Sequence, residues 1–330
     1  MDWTELHADA FDSQRVLVTG AAGFIGSHLV EALVGLGAEI VALDDLTNGD
    51  WSNLDGFDTD VRKITGSILD AETLAEAVAG CRYVFHEAAL GSVPRSVREP
   101  RRFFDVNVNG TLNVLEAAAA AGVERLIFAA SSSAYGDRAE GHAKVETMAP
   151  MPLSPYAATK VSCETMVRAW AHSFGLDTAS LRYFNIFGPR QRSDSAYAAV
   201  IAAFARALHE GRPGTIYGDG SQSRDFTFVA NAVHANLLAA RNQAPLCGEV
   251  INVATGSAVD VNELHRQMAA LYDHADLSPI HEPARTGDIL HSLAEVGKAK
   301  LLLGYQPLID FEAGLARTVD WYKQNMATAR

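Results

Sequence analysis

The chain is poor in cysteine, with only Cys81, Cys163 and Cys247 among its 330 residues. The three lie far apart and none forms a Cys-x-x-Cys pair, so neither a zinc site nor a disulfide framework is indicated. No run is long and apolar enough to span a bilayer. Residues 1–5 are acidic and lack the apolar segment of a secretory signal. We therefore expect a cytoplasmic protein with no metal and no membrane partner.

Basic residues are also scarce, because 27 Lys and Arg face 40 Asp and Glu, a net charge of −13. Proteins that bind nucleic acid need a basic surface, so no nucleic-acid partner is expected. With 48 % hydrophobic and 20 % charged residues, the composition is that of an ordinary globular chain. The length suits one large domain or two closely joined ones.

A glycine-rich turn over residues 19–26 follows the apolar run 16–18 and precedes a helical pattern. Gly20 would allow a tight turn, Gly23 would let a pyrophosphate approach the backbone, and Gly26 would let the helix pack on the strand. The free N–H groups of the helix N-terminus favour phosphate. Asp44 ends the next apolar strand, where a carboxylate accepts ribose hydroxyls and repels a 2′-phosphate. The pattern predicts NAD as cofactor rather than NADP.

Strand and helix patterns alternate through the first half of the chain, which predicts an α/β fold with a doubly wound parallel sheet of the Rossmann type. The pattern loosens after residue 185, and we expect a smaller α/β C-terminal substrate domain there. The predicted division is 1–185 plus about 227–257 for cofactor binding, and about 186–226 plus 258–330 for substrate binding. The predicted strands are 15–19, 40–44, 61–66, 83–86, 126–130, 178–182 and 249–253. The predicted helices are 27–36, 71–78, 104–121, 155–174, 262–272 and 311–325.

Tyr156 and Lys160 lie four residues apart after a helix-start signature, so they share one helix face. A phenol acts as a base at neutral pH where nearby positive charge favours the phenolate, which Lys160 and a nicotinamide ring would supply. The serine run Ser131-Ser132-Ser133 follows another apolar strand, at the sheet edge where ligands bind. We predict Tyr156 as general base, Lys160 as its activator, and Ser131 and Ser132 as hydrogen-bonding catalytic residues.

With these motifs, Asn107-Val-Asn-Gly-Thr111 and Leu181-Arg-Tyr-Phe-Asn185, the chain resembles the extended short-chain dehydrogenase/reductase family over nearly its full length. Within that family it is similar to the nucleotide-sugar 4-epimerases. The resemblance implies tightly bound NAD that is regenerated each turnover, and proton loss from the C4 hydroxyl to Tyr156 as the C4 hydride leaves. The cofactor-binding residues it implies are Gly20, Gly23, Phe24, Ile25, Gly26, Asp44, Asp45, Ser67, Ile68, Ala88, Ala89, Asn107, Tyr156, Lys160 and Tyr183.

Two positions depart from the family pattern. Ser67 stands where the family usually has an Asp that reaches adenine, so this contact would be weaker or replaced by a serine contact. The related 4,6-dehydratases carry Asp-Glu in the active-site turn, and this chain has serine and alanine there. Dehydration is therefore disfavoured.

Two arginine motifs, Ser223-Arg-Asp-Phe226 and Arg285-Thr-Gly-Asp288, resemble family motifs for the substrate diphosphate. Guanidinium groups pair bidentately with phosphate oxygens, which supports that interpretation. In the 4-epimerases the residue four after this Asp flanks the sugar's C2 substituent, and Ser292 is small enough to admit an N-acetyl group. The substrate-binding residues implied are Ser92, Ser131, Ser132, Ser133, Tyr156, Asn185, Ala198, Val200, Tyr217, Arg224, Arg285, Asp288 and Ser292.

The resemblance is strongest to UDP-N-acetylglucosamine 4-epimerases, which implies interconversion of UDP-GlcNAc and UDP-GalNAc, with UDP-Glc and UDP-Gal as further substrates. One alternative is a 4-epimerase of UDP-GlcNAcA or UDP-glucuronate, for which Arg95 would supply a cation near C6. Another is a different NAD-dependent UDP-sugar-modifying enzyme, such as a decarboxylase. A non-catalytic nucleotide-binding protein is a distant alternative, because such proteins usually lose the Tyr/Lys pair.

The family generally dimerises through helices matching 104–121 and 155–174, so a homodimer is expected.

Overall fold

The computed structural model describes residues 1–57, 59–137, 143–192, 200–284 and 290–326. Its strands are β1 (Arg15–Thr19), β2 (Glu39–Asp44), β3 (Val61–Thr65), β4 (Tyr83–His86), β5 (Arg125–Ser131), β6 (Asp177–Tyr183), β7 (Ile186–Phe187), β8 (Thr215–Tyr217), β9 (Ser223–Arg224), β10 (Thr227–Phe228), β11 (Glu249–Val253), β12 (Val259–Asp260), β13 (Ile280–Glu282) and β14 (His291–Ser292). Its helices are α1 (Trp3–His7), α2 (Phe24–Gly35), α3 (Ala71–Val78), α4 (Val93–Arg98), α5 (Pro100–Phe103), α6 (Gly110–Ala120), α7 (Pro155–Ser173), α8 (Val200–His209), α9 (Val229–Ala240), α10 (Val261–Leu271), α11 (Gly297–Leu303) and α12 (Phe311–Met326).

Seven strands form one parallel sheet in the order β11-β6-β5-β4-β1-β2-β3. The strand order reverses between β1 and β4, so a crevice opens beyond their carboxyl ends, where doubly wound sheets bind ligands. The predicted α/β fold with a parallel sheet is confirmed, including β11 as a further strand of the sheet.

Alternate residues of the central strands pack on opposite helical layers. On β1, Val16 and Val18 belong to the core under α2 and α9, whereas Leu17 belongs to the core under α3, α6 and α7. All three side chains are fully buried. Because both faces of the strand are covered, its sequence is a continuous apolar run rather than an alternating one.

The predicted helix over residues 104–121 is present, but its first part is not α-helical. Residues Phe104–Asn109 form a π-helical segment between α5 and α6. The carbonyl of Asn107 accepts the Thr111 hydroxyl at 2.5 Å and the Cys163 thiol at 3.1 Å. These side chains donate to that carbonyl in addition to the backbone N–H of Gly110, and π segments of this kind are frequent at functional sites.

A separate core packs α8, α10 and α12 around Phe187, Phe204 and Leu264. The residues of this core come from parts of the chain before and after α9, and α9 itself packs on the central sheet. The proposed division into two domains stays a prediction. Within the described ranges, no helix combines the length and apolar character needed to cross a membrane.

One buried ion pair joins α7 to β6. Arg182 donates to both carboxylate oxygens of Glu164 at 2.8 and 2.7 Å, and both side chains are buried. Removing one partner of such a pair leaves an uncompensated buried charge. We expect Glu164→Ala to lower the free energy of unfolding by about 3–5 kcal/mol in urea titrations.

A matched control is Glu124→Ala, which breaks the exposed ion pair with Arg82. Exposed pairs contribute about 1 kcal/mol or less. Equal losses of stability in the two variants would contradict the special role of the buried pair.

Candidate active site

A cleft of about 1400 Å³ runs along the carboxyl ends of the sheet strands. It brings together most of the predicted site residues from both halves of the chain. Those that line it are Gly20, Gly23, Phe24, Ile25, Gly26, Asp44, Asp45, Ile68, Ala88, Ala89, Ser92, Ser131, Ser132, Ser133, Tyr156, Lys160, Tyr183, Asn185, Arg224 and Ser292.

The glycine turn that follows β1 leaves no room for side chains. Gly20 has φ +68°, and a Cβ there would lie 2.7 Å from the backbone nitrogen of Ala88. A Cβ on Gly26 would lie 2.1 Å from the carbonyl oxygen of Gly20. The turn therefore packs directly on the strand end and on its own helix, whose N-terminus begins at Phe24. Backbone N–H groups at such a terminus suit a phosphate.

Asp44 closes one side of the cleft at the end of β2. Its carboxylate accepts the backbone N–H groups of Ala22 at 3.0 Å and Leu46 at 2.8 Å. Burial raises the pKa of this carboxyl, while the two N–H groups oppose that rise. A carboxylate fixed in this way favours ribose hydroxyls and repels a 2′-phosphate.

Tyr156 and Lys160 lie on the first turns of α7, which begins where Ser154 accepts the N–H of Ala157 at 3.2 Å and Pro155 occupies the first turn. Lys160 is 4 % exposed, and its ammonium donates to the Ala129 carbonyl at 2.7 Å. A buried ammonium held on a strand end is a fixed positive charge beside the tyrosine, as the proposed activation of a phenolate requires.

The serine turn continues β5 into a short 3₁₀ segment over Ser132–Tyr135. The Ser131 hydroxyl accepts the backbone N–H of Ser133 at 3.2 Å and lies 2.8 Å from the Ser133 hydroxyl. All three serines line the cleft together with Tyr156, whose helix α7 contacts the 3₁₀ segment. Their hydroxyls can hydrogen-bond a sugar hydroxyl in this position.

Two predicted cofactor contacts do not line the cleft. Ser67 accepts the N–H of Leu69 at 3.2 Å within its own turn. Asn107 is 2 % exposed and holds the Leu90 backbone by two hydrogen bonds, at 2.8 and 3.2 Å. Asn107 therefore acts on the cleft through Leu90, which does line it.

Arg224 and Ser292 form one wall, because β9 and β14 pair in parallel and place these two residues side by side. Asp225, which the sequence analysis did not single out, joins this wall to the rest of the protein. Its buried carboxylate accepts the Thr255 hydroxyl at 2.7 Å and the Gly256 N–H at 3.0 Å. Burial raises the pKa of Asp225, and these hydrogen bonds oppose the rise.

A second pocket of about 310 Å³ opens beside Asn185 and Arg224, which line both cavities. Val200 and Tyr217 line this second pocket and not the main cleft. Ala198, Arg285 and Asp288 lie outside the described residues.

The predicted role of Arg95 as a cation for a uronic acid does not fit its position. Its guanidinium pairs with Glu99 at 2.9 and 3.1 Å, one turn further along the chain, and it does not line the cleft. Lys144, which sequence reasoning missed, does line the cleft and is 2 % exposed. Its segment bridges to Ala294, close to Ser292. No sequence motif signalled this contact.

The glycine turn, the Asp44 wall and the Tyr–Lys–Ser group define a dinucleotide-dependent enzyme. Residues 16–254 match the NAD dependent epimerase/dehydratase family, and the chain belongs to that family. The chain is similar to a UDP-glucose 4-epimerase from Mycolicibacterium smegmatis, with 37 % identity covering 94 % of this chain and 98 % of that one.

Two solved structures are also similar. A UDP-N-acetylglucosamine 4-epimerase from Methanobrevibacter ruminantium, in complex with UDP-N-acetylmuramic acid, has 38 % identity and a TM-score of 0.91, covering 96 % and 100 % of the two chains. A UDP-glucose 4-epimerase from Thermus thermophilus in complex with NAD has 36 % identity and a TM-score of 0.84, covering 94 % and 99 %.

The residues present fit NAD. The turn at Gly20 and Gly26 is a cradle that any Cβ would fill, and Asp44 stands at the ribose position of a dinucleotide fold. Across the described ranges, no group of three or more His, Cys, Asp or Glu side chains could hold a metal ion.

Proposed function

We propose that this enzyme catalyses the reversible C4 epimerisation of a UDP-sugar, with UDP-GlcNAc and UDP-GalNAc as the main pair and UDP-Glc and UDP-Gal as further substrates. The observation that carries the proposal is the common cleft. It joins Tyr156, Lys160 and the serine turn to a wall made by Arg224 and Ser292.

In this proposal the side chains hold and move one proton. Tyr156 accepts the proton of the C4 hydroxyl, and the fixed Lys160 ammonium stabilises the phenolate that precedes this transfer. Ser131 hydrogen-bonds the same hydroxyl and orients it. When bound, NAD would supply the acceptor and then the donor for the C4 hydride, and the glycine turn and Asp44 would hold it. Epimerisation follows when the 4-keto sugar rotates and presents its opposite face before the hydride returns.

The UDP portion would extend from Arg224 into the second pocket. Arg224 offers a planar guanidinium to the diphosphate, a bidentate arrangement that arginine forms readily. Asn185 lies where the two cavities meet, and Val200 and Tyr217 would flank the uracil. Arg285 and Asp288 remain proposed contacts on the basis of their motif.

Ser292 supports the choice of an N-acetylated sugar. It is 5 % exposed at the cleft wall, next to Arg224, and its side chain ends at one hydroxyl. An acetamido group at C2 needs space at this wall, which a small residue leaves.

One NMR time course tests the function. Purified protein is mixed with UDP-GlcNAc, without added NAD, and the anomeric signals are followed. We expect UDP-GalNAc signals to grow to a constant ratio, because the cofactor stays bound and is regenerated. The same experiment with UDP-Gal provides a second arm.

Three other results would redirect the assignment. Conversion of UDP-Gal but not UDP-GlcNAc would keep the mechanism and refute the role of Ser292. Conversion or carbon dioxide release from UDP-glucuronate or UDP-GlcNAcA alone would favour a uronic acid enzyme. Retained NAD without any sugar conversion would favour a non-catalytic nucleotide-binding protein.

We also propose a homodimer that forms through the face of the π segment, α6 and α7. Phe104 begins this segment and is 51 % exposed, and Val97 on α4, which packs against α7, is 64 % exposed. Two large apolar side chains on neighbouring elements favour burial against a second copy. Light scattering on the eluted protein measures the assembly mass.

A further inference from the structure

Glu87 is a carboxylic acid that lines the cofactor cleft and that the proposed mechanism does not use. It follows the last residue of β4, and its backbone N–H donates to the Thr19 carbonyl at 3.2 Å. Its neighbour Ala88 packs against Gly20. The backbone at Glu87 therefore passes directly behind the dinucleotide turn.

The orientation of the carboxyl is fixed by a chain of hydrogen bonds. The Tyr183 hydroxyl donates to Glu87 Oε1 at 2.6 Å, and Asn236 Nδ2 donates to the Tyr183 oxygen at 2.6 Å. Because the amide already donates to the phenol oxygen, the phenol hydrogen points to the carboxyl. Tyr183 and Asn236 are both buried, so this chain is rigid.

The charged and titratable groups facing Glu87 come from three elements. Tyr183 on β6 is neutral, because burial and the Glu87 charge raise its pKa. Lys160 on α7 supplies a positive charge. His86 on β4 is neutral, because burial lowers its pKa to about 3, and its ring bonds Thr19 and Thr111 instead. The contribution from α9 is the uncharged Asn236.

Burial raises the pKa of Glu87 to about 7, although the Tyr183 hydroxyl and the Lys160 charge oppose the rise. The carboxyl is therefore an anion above about pH 7 and neutral below it. Ordinary assay conditions lie close to this pH, so the charge on Glu87 in the cleft changes with pH.

We propose that the Glu87 carboxylate stabilises the oxidised form of the bound cofactor and thereby limits how much enzyme rests in the reduced, keto-sugar complex. This inference rests on the proposed function. Oxidised nicotinamide carries a positive charge, and reduced nicotinamide is neutral. In the forward step the sugar C4 loses a hydride with its electron pair to the cofactor and its hydroxyl proton to Tyr156. A nearby anion opposes the loss of the positive charge on the nicotinamide ring.

The test compares wild-type holoenzyme with Glu87→Gln, which keeps an acceptor for Tyr183 and removes the charge. UDP-glucose is added, and the near-ultraviolet absorbance of reduced nicotinamide is recorded from pH 6 to 9. At high pH we expect the reduced share to be roughly fivefold larger in the variant, as one charge acting over several ångströms predicts. As the pH falls, the wild type approaches the variant, with a midpoint below about 7 because the positive nicotinamide favours the ionised carboxyl.

Two controls separate charge from structure. Glu124→Gln removes an acid from an exposed ion pair with Arg82, outside the cleft, and should follow the wild type. Glu87→Asp keeps a carboxylate and should retain a pH-dependent reduced share. If Glu87→Gln loses its cofactor, NAD and NADH are titrated separately, and the ratio of their Kd values must shift in favour of NADH.

An unchanged reduced share, or an unchanged Kd ratio, would overturn the inference, as would an equal effect at every pH. Failure of the proposed function has a different signature. In that case the wild type itself would convert neither UDP-GlcNAc nor UDP-Gal.

Discussion

Replacing Tyr156 by Phe should reduce sugar conversion by about 10³-fold while the cofactor stays bound, because general base catalysis is typically worth factors of 10²–10⁴. The substitution removes one oxygen from a residue at the start of α7. The glycine turn and the Asp44 wall, which would hold the cofactor, are unaffected. The measurement is the NMR time course with UDP-GlcNAc, together with the NAD released on denaturation.

A matched control is Tyr272→Phe. Tyr272 lies in the core formed with α8 and α12, and its buried hydroxyl has no hydrogen-bond partner among the described residues. It lines neither cavity, so its loss should leave turnover unchanged. Equal rates for Tyr156→Phe and the wild type would refute the assignment of the base.

The second prediction concerns which UDP-sugar the enzyme accepts. Ser292→Tyr should lower conversion of UDP-GlcNAc by about 10²-fold and leave conversion of UDP-Gal within a few-fold of wild type, because a closed wall rejects the larger substrate. Ser292 is 5 % exposed beside Arg224, so a phenol ring at this position has space only in the cleft. The two rates are measured in parallel on one preparation.

Ser292→Ala is the control, since it keeps the wall small and removes only a hydroxyl. We expect both activities to survive in this variant. Parallel loss of both activities in Ser292→Tyr would contradict the steric explanation and would indicate damage to the neighbouring Arg224.

The central sheet was predictable because its strands are buried on both faces and read as apolar runs. Helix α9 was not. Nearly every residue of Val229–Ala240 is buried, so it has no polar face and no helical period to detect. The π segment was missed for another reason. There the hydroxyl of Thr111 and the thiol of Cys163 donate to the Asn107 carbonyl, and no pattern of apolar residues encodes such contacts.

At the site, residues that belong to sequence motifs were predictable, and residues from irregular segments were not. Tyr156 and Lys160 lie at a short fixed spacing that their chemistry requires, and so do the glycines of the turn. Such spacings can be recognised in a sequence. Lys144 comes from a segment with no motif, and a backbone bridge to Ala294 holds that segment in place. Arg95 shows the converse, since sequence could name a cation but could not reveal that Glu99 already pairs with it.

The pairing of β9 with β14 has a consequence for biosynthesis. The wall around the dinucleotide draws on residues early in the chain, whereas the sugar wall is incomplete until Ser292 has left the ribosome. Chains are made at about 5–20 residues per second, N-terminus first. The residues of the two walls thus emerge seconds apart. A dinucleotide that binds in that interval stabilises the unfinished chain by mass action.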